Sequence, residues 1–221
     1  MKKYNFILFA AVTFLLATSC KKAAYLTDDG IHNPKSSLST YEYLRQHSWQ
    51  SFDTLIMIID HYNMKDEVNS AGTFFASTNY SIKQYMDFRL SEKKLTNDTA
   101  KYTLDSLYKD ISADSLRQYL FTAKITLAGA PIQPAPYTSF AKNTNFAVFK
   151  QLQSTSTYTQ YTTGQTYLLY LVKVRGQLDV QGITPPLNEI DINVLCQTTG
   201  IESASGGILH VLSTQHFFVR F

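Results

Sequence analysis

The hydrophobic periodicity of this chain changes from helical spacing in its first half to strand alternation near its end, and this change most constrains the fold. In the first half, apolar residues recur every three or four positions, forming one stripe of a helix: Phe52, Leu55, Ile56 and Ile59. Near the end, Tyr167–Val174 predicts the strongest strand, and Ile192, Val194 and Cys196 recur at every second position. Strands without regular intervening helices cannot build a doubly wound parallel sheet, so the order predicts an α+β domain.

Cap signals set the expected starts of the first helices. Ser39 with Glu42 three residues later has the pattern of a capping box, which predicts a helix beginning beside it. Gly72–Ser77 is short and rich in aromatic and β-branched residues and predicts a strand. Thr78 and Asn79 then offer a cap for a following helix.

The next segments are less regular. Ser91–Lys101 is polar and is predicted to be a loop, whereas Ser112–Phe121 has helical spacing. Leu104–Ile111 fits a helix or a strand equally well. The composition then changes, because one glycine and three prolines interrupt residues 129–136.

The first twenty residues have the pattern of a lipoprotein signal peptide. Lys2 and Lys3 form a positive n-region, Phe6–Ala17 is a short apolar stretch, and small residues precede Cys20. This pattern resembles bacterial lipoproteins of the Gram-negative envelope, whose cysteine is lipidated and becomes the new N-terminus. An ordinary secretory signal is the alternative. The resemblance implies an outer-membrane lipoprotein held in the membrane through Cys20, with periplasmic or surface facing left open.

Three regions follow from this pattern. Residues 1–19 are the predicted signal peptide, and residues 20–37 are a predicted tether, because they contain few large apolar residues and several turn formers. Residues 38–221 are predicted to form a single domain with an insertion around 129–164.

Charge and cysteine content exclude two classes of protein. The whole chain carries a formal charge of +3, and loss of Lys2 and Lys3 with the signal peptide leaves 18 basic against 17 acidic residues. A charge of +1 without a basic run in the domain argues against a nucleic-acid partner. Lipidation of Cys20 would leave Cys196 as the sole thiol, so no intramolecular disulfide can form and stability must come from a packed core.

Two short sequence boxes, far apart in the chain, resemble those of fasciclin-like domains. The first is TFFASTN, and the second is a strand that reads GILHVL after a turn. The box positions are Thr73, Phe74, Phe75, Ala76, Thr78, Asn79, Gly207 and His210. Ser77 stands where the family usually has proline, and Phe121-Thr122 stands where it usually has Tyr-His.

This resemblance implies a compact α+β wedge with a β-sandwich-like core and N-terminal helices. Fasciclin-like domains generally work in adhesion and share no general catalytic residues, so it also implies binding without turnover. The box residues themselves are expected to be mainly structural: Asn79 as a helix cap, and Gly206-Gly207 as the positive-φ residues of a tight hairpin.

The search for chemistry yields no catalytic, metal or cofactor site. His210 lies between apolar strand neighbours and is expected to be a hydrogen-bonded structural residue, and with His216 and Cys196 it lacks the short spacing of a zinc site. Tyr158 and Tyr161, in a Ser/Thr/Tyr-rich stretch, are candidates for a recognition loop, with a solvated hairpin as the alternative.

The sequence therefore predicts a membrane-anchored, non-catalytic binding or adhesion module of the cell envelope that recognises a protein or a glycan. The alternative is an accessory lipoprotein that captures carbohydrate for a glycan-uptake system. An enzyme is a third possibility that no constellation of nucleophile, base and orienting group supports.

Overall fold

The computed structural model describes residues 34–141, 145–155, 164–180 and 182–220, and within them most of the helices precede most of the strands. The helices are α1 (Thr40–Arg45), α2 (Asp53–His61), α3 (Lys65–Ser70), α4 (Asn79–Lys94), α5 (Leu104–Asp110) and α6 (Ala113–Arg117). The strands are β1 (Thr73–Ala76), β2 (Leu120–Phe121), β3 (Ala135–Tyr137), β4 (Phe146–Gln153), β5 (Thr166–Lys173), β6 (Ile192–Glu202) and β7 (Ile208–Leu212). The predicted α+β class is confirmed.

Residues Pro34–Phe221 belong to one compact unit, and its first residues pair with the rest of the chain. The backbone N–H of Ser36 donates to the Glu202 carbonyl at 2.7 Å, and the Glu202 N–H donates to the Pro34 carbonyl at 2.8 Å. These bonds attach the end of the predicted tether to the end of β6. The predicted signal peptide, Cys20 and residues 21–33 lie outside the described residues, so lipidation stays a prediction.

The first two helices begin for different reasons. In α1, the Ser39 hydroxyl accepts from the Glu42 backbone N–H at 3.3 Å, as the cap pattern predicts. The Glu42 carboxylate contacts Arg45 and Lys65. Helix α2 buries Leu55, Ile56 and Ile59 of the predicted apolar stripe, and Phe52 of that stripe is buried at its N-cap. Ile58, outside the predicted stripe, is buried as well. Its helical register therefore comes from packing against the neighbouring elements.

Helix α4 is longer than predicted. Thr78 caps it by accepting from the Ser81 N–H, and the helix continues to Lys94. The prediction of a loop over Ser91–Lys101 is therefore wrong for its first four residues. Lysines 93 and 94 occupy the last turn, where positive charge interacts favourably with the helix dipole, and their polarity does not prevent helix formation.

The prediction of a helix over Ser112–Phe121 is wrong at its C-terminal end. Helix α6 ends at Arg117, and Leu120–Phe121 instead forms β2, antiparallel to β1. Apolar spacing alone is compatible with either state over so few residues, so pairing with β1 decides the outcome. The ambiguous segment Leu104–Ile111 is helical as α5, where Thr103 and Ser106 form a reciprocal capping box.

The seven strands form one sheet in the order β2-β1-β7-β6-β5-β4-β3, in which only β1 and β7 are parallel. The two edges approach each other, because an antiparallel bridge joins Phe121 to Ser139. The Phe140 N–H also donates to the Leu120 carbonyl at 2.7 Å. The sheet is therefore nearly closed.

Strand β6 allows this curvature. Its register against β7 shifts twice between Cys196 and Ile201, and Gly200 within that stretch has φ +81°. Register shifts of this kind bend a strand and increase its twist. The core is thus enclosed by one continuous curved sheet.

The region predicted as an insertion supplies part of this sheet. Residues 135–137 and 146–153 form β3 and β4, and Phe146, Ala147 and Val148 are buried in the core. The described part of 129–164 is therefore integral to the fold. Tyr158 and Tyr161, the candidates for a recognition loop, lie outside the described residues.

Candidate functional site

The two family-like boxes are adjacent in the structure. Strands β1 and β7 run parallel, with Thr73 opposite Ile208 and Phe75 opposite His210. The Phe75 ring stacks on the His210 ring at a centroid distance of 5.0 Å, and both side chains are fully buried. These box residues therefore form the centre of the core.

The hydrogen bonds of His210 use both ring nitrogens. Nδ1 accepts from the Gly200 backbone N–H at 3.2 Å, so it carries no proton, and Nε2 therefore donates to the Ile125 carbonyl at 2.8 Å. Burial lowers the pKa of His210 to about 4, against a smaller opposing effect of the Ile125 hydrogen bond. The ring is a neutral link between β7, β6 and the segment after β2.

Gly206 and Gly207 have different roles. Gly206 has φ +85° and makes the turn between β6 and β7, as predicted. Gly207 has no positive φ, so the prediction that both glycines supply one is wrong. A Cβ at Gly207 would lie 2.5 Å from the Ala71 carbonyl oxygen, so glycine is required there by close backbone contact.

The prediction that Asn79 caps the helix that follows it is wrong, because Thr78 has that role. The Asn79 side chain instead extends to the segment that enters α2. Its Oδ1 accepts from the Thr54 N–H at 2.8 Å, and its Nδ2 donates to the Gln50 carbonyl at 2.7 Å. Phe52, at the N-cap of α2, makes no side-chain cap bond, so Asn79 satisfies one free N–H of that helix from another element.

His216 is a second buried histidine, in the segment after β7. Tyr119 Oη accepts from the Val219 N–H at 2.8 Å and is hydrogen-bonded to His216 Nε2, also at 2.8 Å. Burial lowers the pKa of His216 to about 3. Across the described ranges, no group of three or more His, Cys, Asp or Glu side chains is placed to hold a metal ion.

A groove of about 710 Å³ lies where four segments meet: the α1–α2 connection, the start of α4, strand β6 and strand β7. We call it the aromatic groove. Its lining includes Tyr43, Trp49, Gln50, Tyr80, Gln197 and Thr198. Its volume falls within the range of about 300–1,000 Å³ that is typical of small-ligand sites.

Two large aromatic side chains of the groove are exposed to solvent. Trp49, the only tryptophan of the chain, is 83% exposed, and Tyr80 is 60% exposed. Neither side chain makes a ring contact or a hydrogen bond with the other described residues. Exposed aromatic surface beside polar groups is typical of recognition sites, where it offers contact area with little conformational freedom to lose.

Asn79 links the two backbone segments that carry these aromatic side chains. It precedes Tyr80 in α4, and its side chain bonds to the carbonyl of Gln50, the neighbour of Trp49. The Asn79 backbone N–H also donates to the Ser51 carbonyl at 2.8 Å. Gln50 itself adopts φ +50°, a left-handed conformation that is uncommon for a residue with a side chain. The backbone beside the groove is therefore held by hydrogen bonds, which reduces the part of the entropic cost of binding that comes from ordering the chain.

The groove is polar without being charged. Its described lining contains serine, threonine, asparagine and glutamine side chains, and no lysine, arginine, aspartate or glutamate. His47 packs edge-on against Tyr43 and Phe52, and its buried Nδ1 has no hydrogen-bond partner among the described residues. No His–Ser or His–carboxylate bond of the catalytic type is therefore made by this ring in the described structure.

A second cavity, beside α4 and α5, differs in its electrostatics. Arg89 contacts Glu92 at 2.6 Å and Asp110 at 3.0 Å, and the Tyr102 hydroxyl also donates to Asp110 at 2.8 Å. These charged groups are already paired with one another. They therefore leave fewer free hydrogen-bonding groups for a ligand than the side-chain amides and hydroxyls of the aromatic groove do.

The sequence analysis missed the aromatic groove, because its residues come from four segments that only the fold brings together. One signal was present. Trp49 lies between two predicted helices among Ser48, Gln50 and Ser51, outside every apolar stripe. A tryptophan in such a polar connection has no core position to fill and indicates an exposed role.

No protein-family model matches this chain, and no curated protein matches it either. Among the described helices, none combines the length and the apolar character needed to cross a bilayer.

Proposed function

We propose that this chain is a lipid-anchored, non-catalytic binding module of the bacterial cell envelope, with a fasciclin-like fold, and that it recognises its ligand in the aromatic groove. The lipoprotein-type segment ending at Cys20 supports the anchor. The direct pairing of the two family-like boxes on β1 and β7 supports the fold. The observation that carries the proposal is the groove with Trp49 and Tyr80 exposed, on backbone segments that Asn79 links.

Binding without turnover fits the contents of the groove. It combines aromatic contact area with hydroxyl and amide groups, which suits recognition. The buried histidines 210 and 216 are occupied by internal hydrogen bonds, so neither is positioned to act on a ligand. Anchoring would confine many copies to one membrane, which converts weak contacts into useful avidity.

The anchor is tested by metabolic labelling with a palmitate analogue. The wild-type protein should be labelled, and Cys20→Ser should not be. Equal labelling of both proteins, or of neither, would contradict the lipid anchor. Labelling is independent of the ligand, so its result leaves the role of the groove to a separate experiment.

The groove is tested by capture of envelope material. Full-length protein, purified from membranes, is immobilised and exposed to a solubilised envelope extract, and the bound mass is measured. The double variant Trp49→Ala/Tyr80→Ala should lose most of the binding. Leu95→Ala is the matched control, because Leu95 is an exposed apolar residue at the opposite end of α4. Equal binding by wild type and the double variant would refute recognition in the groove.

A further inference from the structure

We infer that the aromatic groove binds a neutral oligosaccharide, with sugar rings stacked on Trp49 and Tyr80. This inference rests on the proposed function and specifies its ligand. A pyranose ring has one or two faces of C–H groups and an edge of hydroxyl groups. The C–H face packs against the electron-rich face of an aromatic ring, and the hydroxyl edge requires partners that both donate and accept hydrogen bonds.

The groove offers such partners in an unpaired state. The side chains of Gln50 and Gln197 and the hydroxyls of Tyr80 and Thr198 make no hydrogen bond within the described residues. An amide side chain provides both a carbonyl acceptor and an NH₂ donor, so it can bond to a sugar hydroxyl in either direction. These groups surround the exposed aromatic faces, as the two-sided character of a sugar requires.

Charge argues against an ionic ligand. Because no lysine, arginine, aspartate or glutamate is in the described lining, an acidic glycan or a charged peptide would lose hydration without gaining a counter-charge. A nucleic acid or an anionic membrane surface would need clustered cations. A neutral ligand needs neither a counter-charge nor a cluster of cations.

Strand order argues against an extended peptide. The strands that line the groove, β6 and β7, are internal to the sheet, so neither has a free edge to which a peptide strand could be added. A proline-rich helix is the remaining peptide mode for an aromatic groove. Proline lacks the backbone N–H, so such a ligand would leave the amide and hydroxyl acceptors of the groove largely unpaired.

The sole tryptophan makes the test direct, because fluorescence excited at a wavelength that tyrosine does not absorb reports on Trp49 alone. Full-length protein in a zwitterionic detergent is titrated with four neutral hexasaccharides: cello-, xylo-, manno- and maltohexaose. Glycoside detergents are avoided because their sugar headgroups would compete. An acidic hexasaccharide, hexagalacturonate, and a proline-rich decapeptide are the comparison probes.

At least one neutral hexasaccharide should shift the Trp49 emission to shorter wavelength with saturation. Tyr80→Ala should weaken that binding about tenfold, whereas Tyr80→Phe should retain most of it, because the ring provides the stacking surface. Leu95→Ala should bind as the wild type does. Tyr80 is exposed, so these variants should keep the wild-type thermal transition.

The inference is overturned if none of the four neutral hexasaccharides moves the Trp49 emission, or if only hexagalacturonate or the decapeptide does. It is also overturned if Tyr80→Ala binds as tightly as Tyr80→Phe. Its failure is distinguishable from failure of the proposed function. Capture of envelope material that requires Trp49 and Tyr80 would still support a binding module with a different ligand.

Discussion

Mild acid should destabilise this protein through its two buried histidines. Burial lowers the pKa of His210 to about 4 and that of His216 to about 3, from 6.5 in an unfolded chain. Between pH 6.5 and these values, the unfolded state binds more protons than the folded state. The free energy of unfolding is therefore highest above pH 6.5 and decreases as the pH falls toward 4.

The size of the effect follows from the width of that interval. At pH 5, about 1.5 units below the unfolded pKa, each histidine lowers the free energy of unfolding by about 2 kcal/mol, at roughly 1.4 kcal/mol per unit. Together, His210 and His216 lower the free energy of unfolding by about 4 kcal/mol, which is a large part of a typical stability of about 5–15 kcal/mol. Glu67 contributes at lower pH, because its hydrogen bonds with Arg117 hold its pKa below 4.5.

Urea denaturation at pH 7 and pH 5 measures this difference. Far-UV circular dichroism is the suitable signal, because the exposed Trp49 reports poorly on the core. The double variant His210→Gln/His216→Gln should lose most of the pH dependence, whatever its stability at pH 7. His61→Gln is the control, because His61 is exposed at the end of α2.

Two results would refute this reasoning. The first is a wild-type stability that differs by less than about 1 kcal/mol between pH 7 and pH 5. The second is a loss of pH dependence in His61→Gln as large as in the double variant. If the double variant does not fold, the single variant His216→Gln should still remove about half of the dependence.

Three further predictions concern packing. Gly207→Ala should lower the free energy of unfolding by about 3 kcal/mol or more in the same urea titration, because the added Cβ would meet backbone atoms. Gly164→Ala should change it little, because the added Cβ would meet no atom within 4 Å. Asn79→Ala should cost about 1 kcal/mol and accelerate hydrogen exchange of the Thr54 amide; unchanged exchange would contradict its role as a cap. Cys196, whose pKa burial raises, should resist a thiol reagent at pH 8 until the protein unfolds, so rapid labelling of folded protein would disprove its burial.

Caps and strong strands were predictable from the sequence because their causes are local. Ser39 and Thr78 each accept from a backbone N–H three residues away, so the signal and its effect lie within one turn. The strand over β5 was predicted for a similar reason, because its run of apolar and aromatic residues has the length of a strand and is short for a helix.

Other features required partners that are distant in the chain. Leu120–Phe121 is a strand because β1 lies beside it, and β4 is a core strand because β5 pairs along its whole length. Asn79 resembles a cap for the helix it begins, yet it caps α2, and no local pattern specifies that partner. The aromatic groove was missed for the same reason.

The amino-acid sequence by itself determined the α+β class, the positions of the main caps and the two boxes that pair at the centre of the core. These depend on periodicity and on contacts within a few residues, where chain connectivity already specifies the neighbours. Only the tertiary structure decided the nearly closed sheet, the neutral state of the buried histidines and the groove around Trp49. Each of these depends on which distant parts of the chain pack together. The burial and the hydrogen-bond partners of a side chain are set only by that packing.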